Sequence, residues 1–400
     1  MRSPLDRRVQ WRAVAVLVAG TLSCSGDGND AGPTAPMPIV VAAQPPTNLT
    51  AGGGHTCLLS AGGAAYCWGD GSSGQLGNGS TTSQLTPAPV AGGLVFASLT
   101  AGELSTCGLT TLGTAYCWGE NASGQLGDGG GATTTNRLTP ALVAGGVTFA
   151  SLTAGYYHAC GLTTGGAAYC WGYGLSGQLG DGTMTDHRSS PAPVTGGLVF
   201  ATLTGGYWHT CGLTAQGVAY CWGNNNWGQL GDSTRTTHST VGPVAAGVVF
   251  AKLAAGGRHS CGLSTAGAAY CWGWNGFGQL GDGTTITRLT PVPVVVSAGL
   301  VFVSIATGWY HTCGLTAGGA AYCWGFNVHG QLGDGTMTDR ARPTAVAGGL
   351  VFTNLAAGVD HTCGMTTGGA AYCWGSNSSG QVGDGTTTDG TVATAVRNGG

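Results

Sequence analysis

Residues 308–333 read GWYHTCGLTAGGAAYCWGFNVHGQLG, and seven copies of this pattern follow one another along the chain. Each copy has two cysteines with nine residues between them, and Trp-Gly follows every second cysteine. Each copy ends in a Gly-Gln-Leu-Gly box, with Val for Leu in the last one. The first cysteines of successive copies lie 50 to 53 residues apart. Such a period is typical of repeat architectures.

Short segments with strand character fill each repeat. Val95–Ala101 alternates apolar and polar residues, and Cys107–Thr110 and Ala115–Trp118 flank a Thr-Leu-Gly turn. The tract Pro87-Ala88-Pro89-Val90 has two prolines, which an outer edge strand tolerates. We label these segments strands A, B, C and D. Four short strands in each of seven repeats predict an all-β fold, a seven-bladed β-propeller of four-stranded blades.

The composition excludes several other classes of protein. Only 7% of the 400 residues are charged, 42% are hydrophobic and 78 are glycine. A disordered chain needs high charge and low hydrophobicity, and a collagen needs glycine at every third position. A strongly basic nucleic-acid binder is excluded because 13 Lys and Arg face 16 Asp and Glu. Blades that bury both faces of nearly every strand explain why so few residues are charged.

The N-terminus has the pattern of an export signal. Four arginines precede the apolar run Ala13–Gly20, which is too short to span a bilayer. The tetrad Thr21-Leu22-Ser23-Cys24 resembles the lipobox of bacterial lipoproteins, in which the cysteine is lipidated. We expect a signal peptide over 1–23, lipidated Cys24 with a flexible linker over 24–46, and the propeller over 47–400. The expected location is the bacterial cell envelope, lipid-anchored at the outer membrane or cell surface. Simple secretion and an unprocessed cytosolic N-terminus are the alternatives, since Thr21 departs from the lipobox.

Fourteen of the fifteen cysteines lie in the repeats, two in each. In a hairpin centred near residue 62, Cys57 and Cys67 fall opposite each other, about 4.5 Å apart between Cα atoms. We expect seven structural disulfides, because export and even pairing agree; zinc ligation and free buried thiols are the alternatives. The predicted pairs are Cys57–Cys67, Cys107–Cys117, Cys160–Cys170, Cys211–Cys221, Cys261–Cys271, Cys313–Cys323 and Cys363–Cys373.

The repeat resembles the regulator of chromosome condensation repeat. The resemblance rests on the run Ala-Gly-x-x-His-Thr-Cys-Gly-Leu-Thr, then Ala-Tyr-Cys-Trp-Gly-x-Asn-x-x-Gly-Gln-Leu-Gly, and it covers residues 47–400. It implies a seven-bladed propeller. The paired cysteines depart from the family, which commonly has Leu or Ala at the strand B position and a small residue at the strand C position. A kelch propeller fits poorly, because its Gly-Gly lies much further before the Tyr and Trp.

Two polar positions recur in the repeats. Six histidines precede a first cysteine by two residues, and Ser105 replaces the histidine of the second repeat. A metal ring is one interpretation, but we favour hydrogen bonds that hold the turn between strands A and B. Asp128 and its counterparts follow the Gly-Gln-Leu-Gly box, with Asn78 in the first repeat. Calcium needs a denser oxygen cluster, so we expect these residues to cap turns. We predict no metal, no cofactor and no catalytic residues.

The repeats differ most from one another in their A–B and C–D loops, which share one face of a propeller. Aromatic residues are found there in repeats three to six, whereas repeats one, two and seven have mostly small residues at the same C–D positions. Aromatic clusters with few charges are typical of binding surfaces. The candidate binding surface comprises Tyr156, Tyr157, Tyr173, Tyr207, Trp208, Trp227, Arg258, Trp274, Phe277, Trp309, Tyr310, Phe326 and His329.

These observations predict a monomeric binding scaffold rather than an enzyme. Secreted bacterial relatives in the resembling family include a propeller that inhibits β-lactamases through an aromatic face, so an unknown protein ligand is the first hypothesis. A glycan is the second, because aromatic faces also stack on sugars. The third is guanine-nucleotide exchange on a small GTPase, which the eukaryotic founder of the family performs. We expect no nucleic-acid partner and no membrane contact beyond the lipid anchor.

Ring closure is open to two interpretations. Pro36-Met37-Pro38-Ile39-Val40 resembles a strand D, and Thr391–Val396 could also supply the last strand. Either terminus could therefore complete the seventh blade.

Overall fold

A computed structural model describes residues 48–130, 135–245 and 247–397. The signal peptide, Cys24, the linker and the Pro36–Val40 segment predicted above lie outside these residues. Helices that are long and apolar enough to cross a membrane are not found within the described ranges.

The described chain forms 28 β-strands in seven antiparallel sheets of four. The strands are β1 Asn48–Ala51, β2 His55–Leu59, β3 Ala65–Gly69, β4 Gln84–Pro89; β5 Phe96–Ala101, β6 Ser105–Thr110, β7 Ala115–Gly119, β8 Arg137–Leu142; β9 Ser151–Ala154, β10 His158–Leu162, β11 Ala168–Tyr173, β12 His187–Pro193; β13 Thr202–Gly205, β14 His209–Leu213, β15 Ala219–Gly223, β16 His238–Pro243; β17 Phe250–Ala255, β18 His259–Ser264, β19 Ala269–Gly273, β20 Arg288–Pro293; β21 Ser304–Thr307, β22 His311–Leu315, β23 Ala321–Gly325, β24 Arg340–Ala345; β25 Phe352–Ala357, β26 His361–Thr366, β27 Ala371–Gly375, and β28 Gly390–Ala395.

Each blade consists of four consecutive strands, which confirms the predicted seven-bladed propeller. The first strand of each blade contacts the first strands of its neighbours, as β1 does with β5 and β25, and these strands surround the axis. The seventh blade takes its outer strand from Gly390–Ala395, and the first blade begins with Asn48–Ala51. The ring therefore closes by side-by-side packing, because each blade pairs only its own four strands.

The seven predicted disulfides are all formed, each between the two central strands of one blade. Cys57 pairs with Cys67 in the strand register, and the other pairs repeat it. The Cα–Cα distance is 4.1 Å in every pair. A directly opposed, non-hydrogen-bonded pair of an antiparallel ladder brings two residues this close. The sulfurs lie in the core, since these cysteines are at most 1% exposed.

Hydrophobic clusters lie between blades rather than inside one. Around the disulfide of the first blade, Leu59 and Leu76 pack against Phe96 and Trp118 of the second blade. All seven tryptophans that follow a second cysteine are fully buried in this way. Six of them donate Nε1–H to the main-chain carbonyl of the preceding blade's Gly-Gln-Leu-Gly box, as Trp118 does to Gln75 at 3.0 Å. The repeated Trp and Gln therefore lock neighbouring blades together.

The six recurring histidines also bond across blade boundaries. Each Nε2–H donates to a hydroxyl of the next blade, as in His55 to Thr106 at 2.9 Å. The hydroxyl in turn donates to a Gln carbonyl, as Thr106 does to Gln75, so the imidazole must be the donor. The expectation that these histidines hold their own A–B turn is wrong. Their rings point sideways into the next blade, where the hydroxyl is the acceptor within reach.

Candidate functional site

The A–B and C–D loops form one face of the ring, here called the upper face. Hydrogen bonds hold the two loops of each blade together. Tyr173 N–H donates to the Tyr157 carbonyl at 2.8 Å, and Trp274 and Phe326 donate in the same way to Arg258 and Tyr310 at 2.9 Å. Aromatic side chains from the A–B and C–D loops of one blade therefore stand side by side.

The Gly-Gln-Leu-Gly box positions the tips of the C–D loops. The side-chain oxygen of its glutamine accepts the backbone N–H two residues earlier, from Trp227 at 2.9 Å, Phe277 at 3.1 Å and His329 at 3.0 Å. A repeated structural residue thus fixes the variable residue before it. This function of the glutamine was not predicted from the sequence.

All thirteen predicted surface residues belong to one connected cluster, here called the aromatic cluster. In blades three and four, the Tyr156 ring contacts those of Tyr157 and Tyr207, with centroids 4.0 and 3.7 Å apart. Tyr173 joins through Tyr157, and Trp208 joins through Tyr207. These contacts bring together residues that lie up to 52 positions apart in the sequence.

Trp309 connects this half of the cluster with blades five and six. Its indole lies parallel to Tyr207, with centroids 5.1 Å apart at 11°, and stacks on Tyr310 at 5.0 Å and 16°. Tyr310 then contacts Trp274, Phe277 and Phe326. The outermost members are Trp227, which contacts Trp274, and His329, which contacts Phe326.

Arg258 is the cationic member of the aromatic cluster. Its guanidinium carbon lies 5.4 Å from the ring centre of Trp227 and 5.8 Å from those of Trp274 and Tyr310. Cations are attracted to aromatic faces at such distances. Arg258 therefore holds three rings of different blades in one arrangement.

Every member of the aromatic cluster is half-buried, so the rings pack on one another and still reach solvent. Burial raises the pKa of Tyr207 to about 12 and raises the pKa of Tyr156 and Tyr157 further. These phenols stay neutral at any physiological pH. The cluster presents a large, uncharged aromatic surface with one arginine in it.

The centre of the upper face is a cavity on the propeller axis, here called the axial mouth. It has a volume of about 110 Å³, and Tyr156, Tyr207, Trp309 and Glu103 line it together with small residues of all seven blades. Glycines shape it: a Cβ on Gly257 would lie 1.7 Å from Trp309 Cδ1, and one on Gly53 would lie 2.5 Å from Glu103 Cδ. Trp309 and Glu103 therefore each lean over the preceding blade.

Glu103 is a site residue that was not singled out in the sequence. Burial, and then the negative charges of Asp360, Glu120 and Asp70, raises the pKa of Glu103 to about 8. These acids come from blades seven, one and two, whereas the aromatic cluster comes from blades three to six. The upper face is thus divided into an acidic sector and an aromatic sector. The signal in the sequence was that Glu103 is acidic, whereas the first residue of the A–B loop tip is uncharged in the other six repeats.

The recurring histidines and aspartates do not form a metal site. Among the described residues, no three His, Cys, Asp or Glu side chains come together as metal ligands. The aspartates cap turns as predicted: Asp181 accepts from Thr183 N–H and from the Arg188 guanidinium at 2.7 Å. Burial lowers the pKa of His55 and His158 to about 4 and that of the other four histidines to about 3.

Comparisons with known proteins agree with this architecture. The profile of the RCC1-like domain matches residues 97–398, and profiles of the regulator of chromosome condensation (RCC1) repeat match 62–109 and 47–75. The ultraviolet-B receptor UVR8 of Arabidopsis thaliana is 32% identical over 302 residues, 74% of this chain and 57% of the receptor. The human probable E3 ubiquitin-protein ligase HERC4 is 38% identical over 79 residues, which are 19% of this chain and 8% of the ligase. The chain thus spans only part of either relative.

Solved structures share the fold at low sequence identity. Yeast RCC1 (Prp20), in its complex with Kap60, superimposes with a TM-score of 0.74 at 22% identity, over 95% of this chain and 91% of that one. Human WBSCR16 gives 0.72 at 24% identity, over 80% of this chain and 86% of that one. From its repeats, its seven blades and its match over residues 97–398, the chain belongs to the RCC1-like domain family.

Proposed function

We propose that this chain is a binding scaffold that recognises a protein partner through the aromatic cluster. The observation that carries the proposal is the continuity of the cluster: residues of four blades form one set of contacts and all stay half-exposed. Tyr, Trp and Arg are the residues that dominate binding energy at protein interfaces. Rings already packed in the free protein lose little conformational freedom on binding.

The packing of the rings favours a protein over a glycan. Sugars stack on open aromatic faces, but Trp309 is covered by Tyr207 on one side and by Tyr310 on the other. Arg258 lies over Trp227 and Trp274. What remains exposed is an irregular surface of ring edges, which suits the side chains of a folded partner. Protein binding also has a precedent in this fold, since yeast RCC1 (Prp20) is found bound to Kap60.

The test compares partner capture by the full chain and by two variants. The first variant is Tyr157/Trp208/Trp227/Phe326→Ala, which removes four rings of the cluster. The control is Val199/Val249/Val351→Ala, which removes exposed side chains beside the B–C turns of the opposite face. Proteins captured by the parent and the control, and identified by mass spectrometry, are purified and titrated directly. Glycan arrays and a nucleotide-exchange assay run in parallel.

A protein that binds the parent and the control, and binds the four-ring variant at least about tenfold more weakly, supports the proposal. Equal binding by all three chains contradicts it. Binding to glycans alone, or nucleotide exchange that survives the four-ring variant, assigns the chain to one of the other functions.

The proposed site of action is outside the cytosol. Seven disulfides suit an oxidising compartment, and residues 1–24 have the pattern of a lipoprotein signal. Expression in a bacterium fed labelled palmitate should give a labelled, membrane-associated protein, and Cys24→Ser should abolish the label. An unlabelled protein that is released into the medium would indicate simple secretion, and one that stays in the cytosol would refute export.

A further inference from the structure

The repeat pattern is broken twice at the boundary between the fifth and sixth blades. The linker between these blades has five residues between Val294 and Leu300, whereas every other linker has three at this place, as in Ala91-Gly92-Gly93. The second departure is Arg342 in strand D of the sixth blade, where the other six repeats have Thr, Ser or Val. The other blades form without either feature, so the propeller fold itself requires neither.

Both departures line one groove, here called the linker groove. It has a volume of about 510 Å³ and is formed by residues 295–300 together with Tyr322, Arg342 and Pro343. Pockets that hold small molecules usually have volumes of roughly 300–1,000 Å³. Val296 and Leu300 pack with Tyr322 on the hydrophobic cluster between the two blades, and Val295 is exposed beside them. The longer linker therefore gives the groove an apolar wall.

Arg342 supplies a positive charge that is not neutralised within the described residues. Its guanidinium makes no hydrogen bond and no ion pair with them, whereas Arg340 of the same strand pairs with Asp334 at 2.7 Å. It lies at the blade boundary beside Gly283, where a Cβ would be 2.9 Å from Arg342 Nε. None of the described residues that line the groove is acidic. The guanidinium is thus available to bind an anion, and its planar fork matches a carboxylate.

We propose that the linker groove binds a carboxylate that carries a short aliphatic chain. The carboxylate pairs with Arg342, and the chain lies against Val295, Val296 and Leu300. A small inorganic anion would leave the apolar wall unused, and an uncharged apolar molecule would leave the arginine unpaired. A free fatty acid and the carboxyl end of a peptide share the required chemistry. The groove shares no residue with the aromatic cluster, so this proposal is independent of the proposed protein partner.

The experiment is calorimetric titration of the full chain with four small probes. Octanoate represents a fatty acid, and N-acetyl-leucyl-leucine represents the end of a peptide. Acetate lacks the chain, and octan-1-ol lacks the charge. We expect octanoate or the dipeptide to bind at least about tenfold more tightly than acetate and octan-1-ol, because only they use both the arginine and the apolar wall. The tighter of the two identifies the source of the carboxylate.

Arg342→Thr tests the charge. Threonine is the residue at this position in the first, second and fifth repeats, so strand D accepts it. We expect this variant to bind the carboxylate about tenfold or more weakly, through loss of a charge-assisted hydrogen bond. The matched control is Arg235→Thr, which removes an exposed arginine of the fourth blade that does not line the groove. It should change the affinity by less than about twofold, as for a distant screened charge.

A second variant tests the apolar wall. Residues 295–299 are replaced by the Ala-Gly-Gly of the first linker, which restores the common linker length, and urea denaturation shows whether the variant folds. We expect a folded variant that binds octanoate about tenfold or more weakly. Unchanged carboxylate binding in Arg342→Thr, equal affinities for octanoate and acetate, or no binding of octanoate and of the dipeptide would overturn the proposal.

Discussion

The imidazole of His361 in the last blade donates a hydrogen bond to the hydroxyl of Thr56 in the first blade, with Nε2 and Oγ1 2.8 Å apart across 305 positions of the sequence. Thr56 in turn donates to the Gln381 carbonyl at 2.9 Å, and Trp68 donates to the same carbonyl at 3.0 Å. The ring is thus closed by the polar contacts that join other neighbouring blades. The two ends of the repeat region depend on each other for stability.

Removing the hydroxyl that closes the ring should destabilise the whole propeller. Thr56→Val keeps the size of the side chain but leaves the His361 N–H without an acceptor. We expect the free energy of unfolding to fall by about 1–3 kcal/mol, the cost of a buried unsatisfied donor. Urea denaturation measures it, and Thr81→Val at an exposed position is the control. An unchanged midpoint for Thr56→Val would show that closure does not depend on this bond.

The boundary between the second and third blades lacks the bond, because Ser105 replaces the histidine and Ala159 replaces the hydroxyl residue. Gly102 precedes Ser105 as Gly52 precedes His55, so the backbone for an imidazole is present. The double variant Ser105→His/Ala159→Thr should restore the contact. We expect a favourable coupling of about 0.5–1.5 kcal/mol in a double-mutant cycle. Additive single effects would refute a direct bond.

The disulfides should stabilise each blade separately. Cys261 and Cys271 are ten positions apart, and replacing both by alanine removes one short cross-link. We expect a loss of about 2–4 kcal/mol, chiefly because the unfolded chain becomes less constrained. Thermal unfolding measures the change. The native parent should react with no alkylating reagent at the fourteen repeat cysteines, and labelled thiols there would contradict the structure.

Acid should destabilise the protein through the buried histidines. Their folded pKa values of about 3 to 4 lie below the unfolded value of about 6.5. The unfolded state therefore binds more protons below about pH 6.5, and stability is full above that pH and lost as the pH falls toward 4. Urea midpoints at about pH 7.5 and about pH 5 should differ clearly.

Glu103 changes the stability of the protein in the opposite direction over this pH range. Its folded pKa of about 8 is raised, so its contribution to stability grows as the pH falls from about 8 toward 4.5. The Glu103→Gln variant lacks this effect, so its loss of stability between about pH 7.5 and about pH 5 should be larger than that of the parent. A midpoint that stays constant from pH 7.5 to 5 in this variant would contradict the buried neutral histidines.

The orientation of Trp309 should depend on a glycine. A Cβ at Gly257 would lie 1.7 Å from Trp309 Cδ1, so Gly257→Ala should push the indole off Tyr207. We expect a changed near-ultraviolet circular dichroism signal with little change in the far-ultraviolet spectrum. Gly242→Ala is the control, since its nearest atom would be 3.8 Å away. Identical spectra for the parent and Gly257→Ala would show that the stack is not held as described.

Much of the fold was accessible from the sequence because the repeats carry it. The spacing of Cys57 and Cys67 predicted the hairpin register, and the loop aromatics predicted the members of the aromatic cluster. The acceptor of each histidine was not predicted, because His55 and Thr106 lie in different blades and no local pattern links them. The available signal for this contact was that Ser105 and Ala159 both depart from the repeat pattern, one at the histidine position and one at the hydroxyl position. Glu103 was missed because its role depends on where seven loops converge.

The imidazole–hydroxyl bonds between blades all run in one direction around the ring, from the imidazole of one blade to the hydroxyl of the next. Most blades are therefore interchangeable units that could be duplicated or shuffled without orphaning a polar group. The second and third blades are the exception. The second blade has no imidazole donor and the third blade has no hydroxyl acceptor. Every imidazole therefore keeps an acceptor only when the third blade directly follows the second. Any rearrangement of the gene that separated them would create one buried, unpaired histidine.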